Sequence, residues 1–302
     1  MPPARWTDLW VPDEATLRSA LPPGVHEITI ARLLKPGDPE APPRPRLEAR
    51  NGYVFGVLAA PGADGRQGSV EEIDVVITAT TIVTVHKSPR STESITFDGA
   101  IAAAERTAAP TGLCLYTVID EVAERFLAVI DGFEEEIDEL EDHVTEWPSD
   151  VIRSRISQTR HDILHVRRIL TPTRDAARSV LDGRVDPEGP DELFPREVEL
   201  HFADAYDKLL RAADALDLTR DLLAGVRDFH QAEIANEQND VTKRLAAIGS
   251  ILLVPTFIVG LYGQNFRDLP EFHWRYGYLW SWFLIVASTV GQVWYFRRRR
   301  WL

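Results

Sequence analysis

The hydrophobic positions divide the chain into stretches with different spacing. Up to residue 113, short runs rich in Val and Ile, bounded by Gly, Asn or Pro, predict strands of an α/β domain at 54–58, 73–77 and 82–85. From Tyr116 onward, apolar residues recur every three or four positions. This spacing predicts two long antiparallel helices with a coiled-coil-like seam, which end before Pro148 and Pro172.

A third helical region begins near Arg196. No proline or glycine interrupts it before Gly225, and none follows until Gly249. We therefore expect one very long helix that runs directly into the apolar segment that follows.

Two segments, 245–265 and 276–296, each contain 21 residues and no charged side chain. About 20 apolar residues suffice to cross about 30 Å of hydrocarbon, so each segment is long enough to span a bilayer. The alternative is a pair of buried helices in a large soluble core, but the flanking Lys and Arg residues favour the membrane. The predicted division is a cytoplasmic α/β domain at 1–113, a long-helix funnel region at 114–244 and a transmembrane hairpin at 245–302.

Basic residues predict the orientation of this hairpin. Lys243 and Arg244 precede the first span, and the tail at 297–302 begins with four arginines. In the loop at 266–275, two arginines are offset by two acids. Because basic residues collect on the cytoplasmic side, both termini are expected in the cytoplasm of a multi-pass protein of the cell membrane.

The net charge is unevenly distributed. Residues after Asp240 carry +6, whereas residues 1–240 carry −20. A strongly acidic body repels nucleic acid and attracts cations, so we expect no nucleic-acid partner.

One short motif suggests enzyme chemistry. The run from His161 to His165 reads H-D-I-L-H, which is similar to the zinc-binding pattern H-E-x-x-H. Its acid is the shorter Asp162, Ile163 belongs to the helical seam, and no third ligand is evident. We therefore predict that the protein is not an enzyme.

Small and polar residues recur on one face of the first span and the turns before it. Steps of three or four positions connect Asn239, Thr242, Leu245, Gly249, Leu252, Thr256, Gly260 and Gly263. Small residues permit close packing of helices, so this face could serve helix association, or it could line a pore. Periodicity alone leaves both interpretations open.

Three motifs near the C-terminus resemble the CorA family of magnesium channels. Residues 262–266, Tyr-Gly-Gln-Asn-Phe, are similar to the Y-G-M-N-F signature of that family, and residues 269–272, Leu-Pro-Glu-Phe, to the M-P-E-L that follows it. The C-terminal run at 295–302 is similar to Y-F-K-K-K-K-W-L. The likeness extends over nearly the whole chain and is most specific in its last third.

The resemblance implies a CorA-like homopentameric funnel in the lipid bilayer that conducts Mg²⁺, and also Co²⁺ or Ni²⁺, under the membrane potential. It implies that Mg²⁺ also binds a cytoplasmic regulatory site and closes the path. The implied pore residues are Asn265 at the external mouth with Gly263, Gln264 and Tyr262, then Thr256, and Asn239 near the cytoplasmic end. The implied gate is Leu245 with Thr242, the implied regulatory site is Asp204 with Asp64, and Glu271 lies in the external loop.

Gln264 departs from the family pattern, which has Met at this position. The zinc-transporting ZntB branch also varies here, so a zinc transporter on the same fold remains an alternative. A second alternative is a membrane-anchored scaffold or sensor that oligomerises through the same helices without conducting ions.

Overall fold

The computed structural model describes residues 4–38, 43–66, 70–187, 192–264 and 274–302. Its strands are β1 Arg5–Trp10, β2 Arg46–Arg50, β3 Tyr53–Pro61, β4 Val70–Ile77 and β5 Thr81–His86. Its helices are α1 Glu14–Ala20, α2 Glu27–Leu34, α3 Asp98–Thr107, α4 Thr111–Asp142, α5 Ser149–Leu181, α6 Arg196–Gly263 and α7 Gly277–Arg298.

The five strands form one sheet in the order β1-β5-β4-β3-β2. All neighbours are antiparallel except β1 and β5, which pair in parallel with Trp6 opposite Ile82. The three strands predicted from Val- and Ile-rich runs are confirmed as β3, β4 and β5. The two edge strands, β1 and β2, are additional strands that these runs did not indicate.

Alternating side chains make both faces of the sheet apolar. Val54, Ile73 and Ile82 face the main core, which they share with the long helices, whereas Phe55 and Val83 face a smaller core with Leu17 and Leu33 of the two short helices. Because successive residues of a strand point to opposite faces, a β-branched run can serve both cores. The sheet is therefore covered on both sides.

A buried ion triad joins β1, β4 and β5. The imidazole of His86, which is fully buried, lies with Nε2 3.2 Å from Asp8 Oδ1 and Nδ1 3.0 Å from Glu71 Oε1. The indole of Trp10 stacks on the imidazole at 3.7 Å between ring centroids. Glu71 also accepts a hydrogen bond from the backbone N–H of Ile95. The triad ties the edge strand to the centre of the sheet.

The long helices begin where the sequence places prolines. Pro110 and Pro148 are the residues before α4 and α5, and Pro195 immediately precedes α6. Proline lacks an N–H, which the first turn of a helix does not need. The expected end at Pro172 is wrong, because α5 continues through this proline to Leu181. Buried neighbours, including Ile169 and Ala176, stabilise the continuation.

Helices α4 and α5 pack against each other as the predicted antiparallel pair. Phe133 and Ile137 are buried in their seam, and Arg155 of α5 donates two hydrogen bonds to Glu136 of α4, at 2.7 and 2.6 Å. α6 packs on this pair, with Lys208 Nζ 2.7 Å from Asp120 Oδ1.

The chain divides into two compact units, Met1–Arg227 and Asp228–Leu302. Two helices are long and apolar enough to cross a bilayer, α6 and α7, with a mean hydropathy of 2.1 and 1.2 in their most apolar windows. One continuous α6 confirms the expectation of a single long helix into the first apolar segment. The three-part division at residues 113 and 244 stays a prediction.

Candidate functional site

The stripe of small and polar residues on α6 is exposed in the single chain. Leu245 is 65% exposed and Leu252 is 64% exposed, and the other members of the stripe from Asn239 to Gly263 are also exposed. An apolar side chain that is exposed to this extent on a candidate span contacts either lipid or another chain. The eight positions therefore share one face that the described part of the chain leaves exposed.

Another face of α6 lies against α7. Ile258 and Tyr262 are partly buried and line a cavity of about 620 Å³ together with Tyr278, Trp282 and Ile285 of α7. Packing within the chain thus uses the bulky residues of this span. Of the stripe, only Gly263 also lines this cavity, and the stripe residues from Asn239 to Gly260 do not.

The two threonines of the stripe present hydrogen-bond acceptors. Thr256 Oγ1 donates to the backbone carbonyl of Leu252 at 2.7 Å, and Thr242 Oγ1 donates to that of Gln238 at 2.8 Å. Since a hydroxyl has one proton and two lone pairs, its remaining capacity is as an acceptor. Such an oxygen suits the water molecules around a hydrated cation, which can only donate.

The glycines of the stripe are not required by packing within the chain. A Cβ added at Gly249, Gly260 or Gly263 would have no heavy atom within 4 Å. Glycine in a helix interior costs about 1 kcal/mol relative to alanine. Among the described residues, no packing contact accounts for glycine at these three positions.

The external end of the candidate path is only partly described. α6 ends at Gly263, and Gln264 follows it as an exposed residue. Asn265 and Glu271, which the resemblance assigns to the mouth and the external loop, lie outside the described residues. Their roles stay predictions.

The proposed regulatory acid Asp204 is exposed on α6. Tyr116 of α4 lies close enough to Asp204 for the charge of this acid to affect the pKa of the tyrosine. The pKa of Tyr116 is raised, chiefly by burial and in addition by the negative charges of Asp120 and Asp204. Lys208, which pairs with Asp120, opposes this rise, so acidic and basic groups lie side by side near Asp204.

Asp64 lies in the loop between β3 and β4 and lines a different cavity, of about 460 Å³. Its Oδ1 accepts a hydrogen bond from the N–H of Arg66 at 3.1 Å, and the cavity is also lined by Glu136 and Arg155. Asp204 is not among the lining residues. The structure does not bring Asp64 and Asp204 together within one chain.

Glycine holds this loop against α4. Gly65 has φ of +63°, and a Cβ there would lie 2.5 Å from Val129 and 2.9 Å from Phe133. Sequence reasoning did not single out Arg155 and Glu136 as cavity residues. Opposite charges on the facing turns of two antiparallel helices are the signal that could have indicated them.

The H-D-I-L-H motif does not form a metal site. His161 is exposed and donates to the carbonyl of Ser157, whereas His165 is buried and its pKa is lowered, chiefly by burial. The carboxylate of Asp162 accepts two hydrogen bonds from Gln158, at 3.0 and 3.1 Å. Within the described ranges, no group of three or more His, Cys, Asp or Glu residues could hold a metal ion.

Known proteins are similar to this chain in sequence. Residues 4–298 match the family model described as CorA-like Mg²⁺ transporter protein. The cobalt/magnesium transport protein CorA of Thermotoga maritima is 27% identical, over 92% of this chain and 77% of its own length. The zinc transport protein ZntB of Pectobacterium carotovorum is 24% identical, over 80% and 71%.

Two solved structures have the same fold over nearly the whole chain. The CorA magnesium transporter of Methanocaldococcus jannaschii superposes with a TM-score of 0.77 at 21% identity and covers 98% of this chain and 91% of that one. The full-length CmaX protein superposes with a TM-score of 0.71 at 19% identity, over 100% and 90%. With the family match across almost all of its residues, the chain belongs to the CorA-like Mg²⁺ transporter family, a family of transporters and not of enzymes.

Proposed function

We propose that this protein is a membrane channel for divalent cations, with Mg²⁺ as its main substrate and Co²⁺ or Ni²⁺ as further ones. One observation carries the proposal: the exposed stripe of small and polar residues on α6. It combines acceptor oxygens with positions that have no side chain, on a helix long and apolar enough to cross a bilayer. Membership of the CorA-like family supports the same conclusion.

A conducting path needs several copies of the chain. Two spans cannot enclose an ion path, and the exposed stripe needs a partner. A closed ring of five copies, with α6 innermost, would bring the stripes together around one axis. Both termini would lie in the cytoplasm, as the distribution of basic residues favours.

The chemistry of the stripe fits a hydrated ion. Mg²⁺ gives up its water reluctantly, so proteins often hold it through its hydration shell. Neutral acceptors such as Asn239, Thr256 and the proposed mouth residue Asn265 can bind those waters without trapping the ion. A ring of Leu245 side chains would gate by excluding water.

The membrane potential suffices as the driving force. A divalent ion that enters a negative cytoplasm gains about 4.6 kcal/mol per 100 mV. Cytoplasmic Mg²⁺ would close the path by binding between subunits at Asp204, with Asp64 as the candidate partner acid from the next copy.

A zinc transporter is the second candidate, because ZntB is among the relatives and Gln264 replaces Met. Flux into liposomes that contain the purified protein distinguishes the candidates. We expect Mg²⁺ uptake that Co²⁺ and Ni²⁺ compete for, whereas uptake of Zn²⁺ with no response to Mg²⁺ would support the second candidate. No uptake of any of the four ions would leave the scaffold alternative.

Asn265→Ala tests the path itself. We expect loss of most of the uptake with the oligomer intact by mass measurement, and wild-type uptake would place the selective site elsewhere. The matched control is Asn236→Ala, an amide on α6 that is not a member of the stripe.

A further inference from the structure

Two unpartnered charged faces of opposite sign lie on the helical hairpin of α4 and α5. On α4, six carboxylates recur with helical spacing along one face: Asp131, Glu134, Glu135, Asp138, Glu141 and Asp142. On α5, three arginines and one histidine recur along an outer face: Arg153, Arg160, His161 and Arg168. We call them the acidic face and the basic face.

Neither face is neutralised by the residues that the structure describes. None of the six carboxylates and none of the three arginines forms a salt bridge to any residue that the structure describes. The charged neighbours that do pair lie elsewhere on the same helices: Glu136 and Glu139 bind Arg155, and Arg167 binds Asp217 of α6. Both faces are therefore open to solvent and available to a partner of opposite charge.

The two faces match in spacing. Asp131 and Asp138 are seven residues apart, as are Arg153 and Arg160, so each pair spans about 10 Å along its helix. The chain therefore carries an acidic surface and a basic surface whose charges have the same spacing.

The two faces also match in height along the hairpin. The hydrogen-bonded pair Glu136 and Arg155 fixes the register of the antiparallel helices. Two residues closer to the hairpin tip on each helix, Asp138 and Arg153 lie at the same height. Five residues further from the tip on each helix, Asp131 and Arg160 lie at the same height.

We propose that the acidic face of α4 in one copy docks against the basic face of α5 in the next copy around the ring. For a ring axis parallel to α4 and α5, rotation changes no heights, and Asp138 of one copy lies level with Arg153 of its neighbour. The contact joins different surfaces of successive copies, as a closed ring requires. This inference rests on the proposed oligomer and goes beyond it by naming the surfaces that meet.

Crosslinking between two differently tagged chains tests the contact. Both carry Cys114→Ala, which removes the only cysteine. One carries Asp138→Cys and the other Arg153→Cys, and a short bis-maleimide reagent is added to the co-expressed oligomer in detergent. We expect a covalent dimer of one chain of each kind and none from either chain alone. The control replaces Asp138→Cys with Glu139→Cys, an exposed neighbour on the side of α4 that binds Arg155, and we expect loss of the dimer.

Mass measurement of the same samples separates two failures. An oligomer that forms but gives no more dimer than the control overturns the docking proposal and leaves the proposed channel intact. A protein that stays monomeric overturns both.

Charge reversal supplies a second measurement. Arg153→Glu with Arg160→Glu should weaken the oligomer in dilution experiments, and Asp131→Arg with Asp138→Arg should weaken it likewise, because each brings like charges together. The protein with all four changes should regain the wild-type dissociation midpoint. If it dissociates as readily as the two-residue variants, the faces do not meet.

Discussion

The ammonium group of Lys87 lies 2.9 Å from the carboxylate of Asp74, and both side chains are almost completely buried. The same Nζ donates to the backbone carbonyls of Arg32, Leu33 and Lys35, at 2.8, 2.6 and 3.1 Å. These carbonyls lie at the C-terminal end of α2, where helices lack internal donors. One side chain thus caps this helix and fixes it to the sheet.

Lys87→Met should therefore destabilise the protein by about 3–5 kcal/mol, because buried Asp74 keeps only the more distant guanidinium of Arg32, at 4.0 Å, and three carbonyls lose their donor. Burial already raises the pKa of Asp74 and lowers that of Lys87, so the pair depends on mutual attraction. The midpoint of thermal unfolding in detergent measures the change. The double variant Lys87→Met, Asp74→Leu should recover part of the loss, and equal loss in both proteins would contradict this account.

His86 should make stability depend on pH. Burial lowers its pKa, but the carboxylates of Asp8 and Glu71 outweigh burial and leave the pKa above its ordinary value of 6.5. Because its pKa is raised in the folded state, the charged imidazole contributes its full stabilisation below pH 6.5. This stabilisation is lost as the pH rises through the folded-state pKa. As the pH rises above neutral, the thermal unfolding midpoint of the wild type should thus fall more than that of His86→Gln. A constant difference between the two proteins from pH 6 to 9 would argue against a charged imidazole.

Thr256 should contribute to conduction through its oxygen. Thr256→Val keeps the shape but removes the acceptor, and we expect Mg²⁺ flux to fall about fivefold or more, given about 1 kcal/mol for one hydrogen bond. Thr256→Ser keeps the oxygen and should retain most of the flux. Equal flux in the Val and Ser variants would mean that the hydroxyl does not face the ion path.

Asp204 should determine sensitivity to cytoplasmic Mg²⁺. Asp204→Asn removes a charged ligand of the proposed inter-subunit site, and the Mg²⁺ concentration for half-inhibition should rise about tenfold, equivalent to about 1.4 kcal/mol. Asp207→Asn, an exposed acid on the same helix, is the control that should leave the midpoint unchanged. Wild-type inhibition of the Asp204 variant would exclude this residue as the sensor.

The sequence predicted the helical and membrane-spanning parts well, because their signals are local. Apolar spacing along α4 and α6 and the charge-free segments need no knowledge of distant residues. The C-terminal motifs indicated the family for a similar reason, since they form continuous runs at 262–266 and 295–302.

Elements that depend on distant contacts were missed or misplaced. β1 contains no Val or Ile, and it exists because it pairs with β5, more than 70 residues away. Pro172 is normally a helix breaker, but buried residues on both sides outweigh the lost hydrogen bond in α5. The cavity beside Asp64 is lined by a loop and two helices that are distant in sequence, so no local sequence pattern predicts it.

The open space beside Gly249, Gly260 and Gly263 has a genetic consequence. Since no atom of the described residues lies within 4 Å of a Cβ there, a larger residue would leave each chain folded and able to enter the proposed ring beside normal copies. A defective allele expressed beside the normal gene would then inactivate most rings, although half of all chains were normal. Substitutions at these glycines would thus be inherited as dominant, in contrast to core substitutions, whose unfolded products never reach a ring.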